Sequence, residues 1–136
     1  MTDGIVIVRA LLVGDAAMLA LVPAERIAGG LMPQGTSLPW LSLALVSSVD
    51  RNVIAPGAMR RVTDRVQVTA AAGTFDAMRA VLQAAKNACA DQRPTIDGAG
   101  EIVVLSQGRG PDFMDEAASI YLGSRDFQVS YNEVRA

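Results

Sequence analysis

Hydrophobic positions change their period several times along the chain, and each change marks an element. Ile5, Val8, Leu12, Ala16 and Leu19 recur at spacings of three and four, one face of a helix. This predicts a helix from Ile5 to Val13, closed by Gly14, then a short second helix capped by Asp15 that runs through Leu21 to Pro23. One continuous helix holding Gly14 inside it is the alternative. From Trp40 to Ser47 the pattern becomes that of a strand, with Leu41, Leu43 and Leu45 on one face and Trp40, Ala44 and Val46 on the other. Apolar residues on both faces imply an inner strand or one covered on both sides. Arg60 to Ala71 alternates most clearly: Val62, Val66, Val68 and Ala70 against Thr63, Arg65, Gln67 and Thr69, with Asp64 interrupting the apolar set.

Thr74 is an N-cap for a helix from Phe75 to Ala90, whose apolar stripe is Phe75, Met78, Leu82, Ala85 and Cys89. Cys89 on that stripe reads as an inert core residue, because no charged activator stands beside it in sequence. Glu101 to Ser106 and Ser119 to Tyr131 read as the last two strands, with a bulge expected at Ser124-Arg125-Asp126. Two long connections remain. Ser48 to Met59 carries the turn signal Pro56-Gly57, and Gln107 to Ala118 is Gly-rich. The order is α-α-β-β-α-β-β. Strands joined as hairpins favour an antiparallel or mixed four-stranded sheet with helices mainly on one face, an α+β fold over residues 1–136.

Composition narrows the chemistry. Apolar residues are 51% of the 136 positions and charged residues 19%, a globular balance with enough chain for a real core. Net charge is −2 and no basic run exists, which argues against tight binding to nucleic acid through phosphates. The chain has no His and one Cys, so the commonest general base and metal ligand are missing, as are an intrachain disulfide and a Cys-only zinc site. The N-terminal apolar run lacks a basic start and is interrupted by Asp3, Arg9 and Asp15. It predicts neither a signal peptide nor a membrane span, and so a soluble protein made in the cytoplasm. Arginine outnumbers lysine eleven to one, as codon usage in a GC-rich genome would produce.

No nucleotide loop, P-loop or nucleophile elbow is present. Gly98-Ala99-Gly100 and Gly108-Arg109-Gly110 do not continue as a phosphate-binding sequence. Asp112, Asp115 and Glu116 form the densest acidic group, near Arg109. Without a His, a solvated acidic loop suits them better than a metal or acid–base site. Arg51, Arg60 and Arg61 gather in the other long loop and at the start of the next strand. They read either as ordinary surface charge or as one half of a contact between subunits, with the acidic loop of a neighbour as the other half. Trp40, the sole tryptophan, reads as a core or interface anchor. If it is core, Trp40→Ala should cost roughly 3–5 kcal/mol.

One stretch points to a family. Ala24 to Val46, AERIAGGLMPQGTSLPWLSLALV, runs from a helix exit through a Gly-rich turn and Pro33-Gln34-Gly35 to Leu38-Pro39-Trp40 and an apolar strand. Preceded by the apolar helix with Gly14-Asp15, it resembles the small phage tail-completion proteins, or tail terminators, of tailed phages, prophages and gene-transfer agents. The alternating strand before Thr74, the helix after it and the terminal Asp126-Phe127-Gln128-Val129 strand extend the resemblance. It implies a structural, non-enzymatic virion protein without cofactor or metal, assembled in the bacterial cytoplasm. It further implies a homo-oligomeric ring, usually of six, at the head-proximal end of the tail tube. Such a ring ends tube polymerisation, meets the tail-tube protein and a head-tail connector or neck protein, and lets DNA through its lumen without specific binding or any membrane contact. Six copies at −2 each would carry −12, which suits a conduit that does not hold DNA. A neck adaptor or minor tail protein of similar fold is the alternative, and a small enzyme built on Asp/Glu or Ser/Thr chemistry is the third reading.

Overall fold

The computed structural model describes residues 2–33, 35–51 and 57–134. Asp3 starts the first helix, α1 (Gly4–Val13), by accepting the Val6 N–H at 3.1 Å. Gly14 ends it. Asp15 then accepts the Met18 N–H at 3.2 Å and opens α2 (Ala16–Leu21), so there are two helices and not one. The break re-aims the apolar face. Ile7, Val8, Leu12 and Met18 are buried, whereas Ala16 and Leu19, which an unbroken period places on the same face as Val8, are exposed. A 3₁₀ turn at Ala24–Arg26 leads into a three-residue strand, β1 (Ile27–Gly29).

Four longer or equally short strands and one helix follow it before the last strand: β2 (Trp40–Asp50), β3 (Met59–Ala72), α3 (Phe75–Cys89), β4 (Gly100–Arg109) and β5 (Phe113–Asp115). The last strand is β6 (Ile120–Val134). The sheet order is β1-β2-β3-β6-β4, with β5 also on β6. β1 is parallel to β2 and every other pairing is antiparallel, which makes the sheet mixed. It has six strands and not four, because β1 and β5 are too short to show a period in the sequence. The long connections shrink accordingly. The β2–β3 loop is residues 51–58, of which Pro56 in the expected turn lies outside the described residues, and β4 and β5 take up much of Gln107–Ala118. The bulge expected at Ser124–Asp126 is absent from β6, which pairs with β3 without a break from Tyr121 to Val134. The irregularities lie on β4, between Gly100 and Val103 and between Ser106 and Gly108.

Thr74 caps α3 as expected, accepting the Ala77 N–H at 3.1 Å. The helix buries Met78, Val81, Leu82, Ala85, Ala88 and Cys89. Phe75, expected on that stripe, is 41% exposed and meets the Tyr121 ring edge-on at 6.1 Å. α1 and α3 pack on the same face of the sheet. That inner face is Leu41 and Leu43, Val62, Val66, Val68 and Ala70, Ile102 and Val104, and Phe127, Val129 and Tyr131, all buried. α3 comes close where Gly123 has no side chain: a Cβ there would lie 2.6 Å from Met78 Sδ and 2.9 Å from Leu82 Cδ1. Leu45, expected beside Leu41 and Leu43, is 44% exposed because the helices do not reach it. Trp40 is half-buried on the opposite face, directly across from Ala71, so Trp40→Ala should cost less than for a core tryptophan.

The middle of the open face carries polar cross-strand pairs. Arg61 donates to Asn132 Oδ1 at 3.2 Å, the Thr63 and Ser130 hydroxyls lie 3.1 Å apart, and Arg65 binds Asp126. Among the described residues no helix is long and apolar enough to cross a membrane.

Candidate assembly surfaces

The strand register separates the two charged groups. β3 begins with Met59 opposite Val134 and ends with Ala72 opposite Tyr121, so the β2–β3 loop and the β5–β6 turn project from opposite ends of the sheet. At about 3.4 Å per residue these ends lie roughly 40 Å apart. Arg51, Arg60 and Arg61 belong to one end, and Arg109, Asp112, Asp115 and Glu116 to the other.

At the arginine end the three side chains do not form one patch. Arg60 and Arg61 are adjacent on β3 and therefore point to opposite faces. Arg60 stands 3.5 Å from Glu133 and 3.9 Å from Asp50. Arg61 donates to the Glu101 carbonyl at 2.7 Å, on the open face. Arg51 is exposed just past β2, its backbone N–H held by the Arg61 carbonyl at 2.8 Å. With Asp50, Glu101 and Glu133 interleaved, this end is close to neutral, which the sequence could not show because those acids come from three other strands.

The acidic trio is also divided. Asp112 pairs with Arg109. Asp115 accepts the Ala118 N–H at 3.3 Å and shapes the turn into β6. Glu116 is exposed in that turn. Among the described residues no group of three or more acids, His or Cys is placed to hold a metal ion. Nearby, Arg79, Arg109 and Arg125 line an open groove of about 400 Å³ between α3 and β4, with Asp76 and Gln83. Burial lowers the Arg125 pKa, and the Arg109 charge lowers it further. Sequence reading missed this grouping because the three arginines lie on three elements, more than ten residues apart.

Cys89 is fully buried. Burial, with the Asp15 charge adding to it, pushes its thiol up to about 12, so it stays protonated and unreactive near neutrality. Two buried carboxylates mark the sheet itself. Asp64 on the inner face accepts the Gly4 N–H and the Tyr131 O–H, each at 2.9 Å. Burial first, then the bond to Asp64, raises the Tyr131 phenol. Asp126 on the open face accepts from Arg65 Nε at 2.8 Å. Both tie strands together, and Asp64 with Tyr131 also borders a small open cleft of about 190 Å³.

Beyond charge, the surface carries apolar side chains on its outer strands: Val46 at 51% exposure and Val49 at 65% on β2, and Phe113 at 56% and Met114 at 42% on β5. Exposed apolar residues on edge strands are candidate contact surfaces.

A family model described as tail completion protein gp17 matches residues 7–132. A search of curated proteins finds none that matches. Among solved structures, a chain from the virion of a native gene transfer agent particle is similar at a TM-score of 0.73 and 15% identity, over 92% of this chain and 91% of that one. At that identity the likeness is one of fold.

Proposed function

The chain belongs to the tail completion protein gp17 family, and from that premise we propose that it closes the head-proximal end of a phage-type tail as a ring, most simply of six copies. The ring ends polymerisation of the tail tube, joins the tail to the neck and leaves a lumen through which DNA passes without specific contact. The observation that carries the reading is the extent of the likeness. The family match spans residues 7–132 and the virion-particle chain covers 92% of the fold, so the whole domain, and not one motif, carries it.

A ring needs two different lateral surfaces for its copies and two axial surfaces for its neighbours. The charged ends of the sheet suit the axial role. Contact between the Arg51, Arg60, Arg61 end of one copy and the Asp112, Asp115, Glu116 end of another would run along the strands and stack copies end to end. Within each subunit Arg60, Arg61, Arg109 and Asp112 are already engaged. Arg51 at one end and Asp115 and Glu116 at the other therefore meet different partners, the tail-tube protein and a connector or neck protein.

Light scattering of the purified protein alone and with tail-tube protein, followed by negative-stain microscopy, tests the reading. Rings, or tubes capped and shortened in proportion to added protein, are expected. A monomer that ignores the tube would overturn it and move the assignment to a neck adaptor. Arg51→Glu, and Asp115→Arg with Glu116→Arg, should leave rings intact and weaken their seating on tube or neck; loss of the ring itself would assign these charges to subunit contacts.

A further inference from the structure

The sheet stops laterally at two backbone edges that nothing among the described residues covers. On one side β1 pairs only with Leu41, Ser42 and Leu43, so β2 from Ala44 to Asp50 has a free edge. On the other side the connector after α3 reaches β4 at Val104, where the Val104 N–H donates to the Gln92 carbonyl at 2.9 Å. Beyond it Leu105–Arg109 and all of β5 pair only with β6. A free strand edge is a template for another strand, and proteins that stay monomeric blunt it with lysine, proline or a covering segment. Residues 44–50 contain neither lysine nor proline, and they expose Leu45, Val46 and Val49. The opposite edge exposes Leu105, Phe113 and Met114.

We propose that these two edges pair with each other between copies, so that Ala44–Asp50 of one subunit adds to Leu105–Asp115 of the next and the ring is held by one continuous sheet. The proposal rests on the ring reading above and names its subunit contact. Strand direction supports it. β2 runs against β3, β3 against β6 and β6 against β4, so β2 and β4 are antiparallel. A rotation that brings the β2 edge of one copy beside the β4–β5 edge of the next, with strand directions kept, therefore makes an antiparallel pair. Position supports it as well. The free part of β2 lies level with Asp126–Tyr131 of β6, and the free part of β4–β5 with Ile120–Gln128. Pairing them offsets neighbouring copies along the strands by roughly 15 Å at 3.4 Å per residue, and a sheet that closes on itself requires a stagger of this kind. The occupant is a second copy because each chain carries one edge of each kind. A closed ring covers all of them, whereas a dimer leaves two bare.

Hydrogen exchange read by mass spectrometry, on the free full-length subunit and on rings assembled with tail-tube protein, tests this. Amides in 44–50 and 105–115 should slow by at least about tenfold on assembly, as for amides that pass from open edge to sheet. Rings visible by microscopy in which both segments keep the free-subunit rate would overturn the edge pairing while the ring stands. Absence of any ring with or without tube protein would overturn the ring reading and this contact with it. Val49→Lys combined with Met114→Lys, two exposed positions, should keep the circular dichroism of the free subunit and abolish rings. Rings that persist in that variant would count against the pairing.

Discussion

One buried carboxylate lies on each face of the sheet, and the two are held by opposite means. Asp64, on the helix-covered face, is 1% exposed and accepts from a backbone N–H and a phenol, both neutral donors. Asp126, on the open face, is 8% exposed and accepts from the guanidinium of Arg65, whose side chain is 46% exposed. On the covered face the charge is held by fixed dipoles at hydrogen-bond distance. The open face lets a long arginine lie across the strands with its head partly in water. The difference is also one of reach. The bond from Asp64 to Gly4 ties α1 to a strand sixty residues later, whereas Arg65 and Asp126 only join neighbouring strands. The covered face is thus where the fold is fixed, and the open face is free to be a working surface.

Substitutions should separate the faces cleanly. Phe127→Ala, inside the core, is expected to cost about 3–5 kcal/mol in denaturant unfolding, and Gln128→Ala, next to it on the open face, to stay within about 0.5. A similar cost at both positions would mean that the open face is covered in solution. Asp64→Ala leaves the Gly4 N–H and the Tyr131 O–H buried without an acceptor and should cost about 2–4 kcal/mol. Gly4→Ala attacks the same junction from the helix side, because its Cβ would lie 2.8 Å from Asp64 Cβ and from Val66 Cγ2; a loss of about 1–3 kcal/mol is expected.

Alkaline titration sharpens the contrast, since both raised groups lie on the covered side. Folded Cys89 keeps its proton to about 12 and the unfolded chain loses it near 9.0, so its contribution is complete below pH 9 and is lost as pH rises from 9 to 12. The raised Tyr131 phenol acts in the same direction above its ordinary value of about 10. Chemical denaturation at pH 8 to 11 should show stability falling with pH, less steeply in Cys89→Ala and in Tyr131→Phe. A slope unchanged in both variants would remove these groups as its cause. The smallest effect belongs to the open face: a double-mutant cycle on Arg65→Ala and Asp126→Ala should give a coupling of no more than about 1 kcal/mol, and less in high salt, because Arg65 is half in water.

Legibility in the sequence follows the range of the interactions. The alternation in β3 identified its buried face residue by residue, and Asp15 and Thr74 were visible as caps because a cap acts within three residues. Asp64 stood out only as an interruption, since its partners Gly4 and Tyr131 lie sixty or more residues away. The charged groups are where the fold adds most to the sequence. Arg60, Arg61 and the acidic trio looked like two coherent patches in one dimension. Pleating sends Arg60 and Arg61 to opposite faces, Glu133 on the neighbouring strand pairs with Arg60, and Arg109, three residues away, pairs with Asp112.

The amino-acid order alone determined an α+β fold, two N-terminal helices broken at Gly14-Asp15, a half-buried central strand and an unreactive core cysteine. These depend on periods and caps that local sterics and hydrogen bonds enforce. The resemblance carried by Ala24–Val46 also lay in the sequence, and the family match over residues 7–132 agrees with it. Strand order, the parallel β1, the short β5 and the two uncovered edges were decided only by the tertiary structure. A three-residue strand has no period to read, and which strand edges stay free depends on where distant segments come to rest.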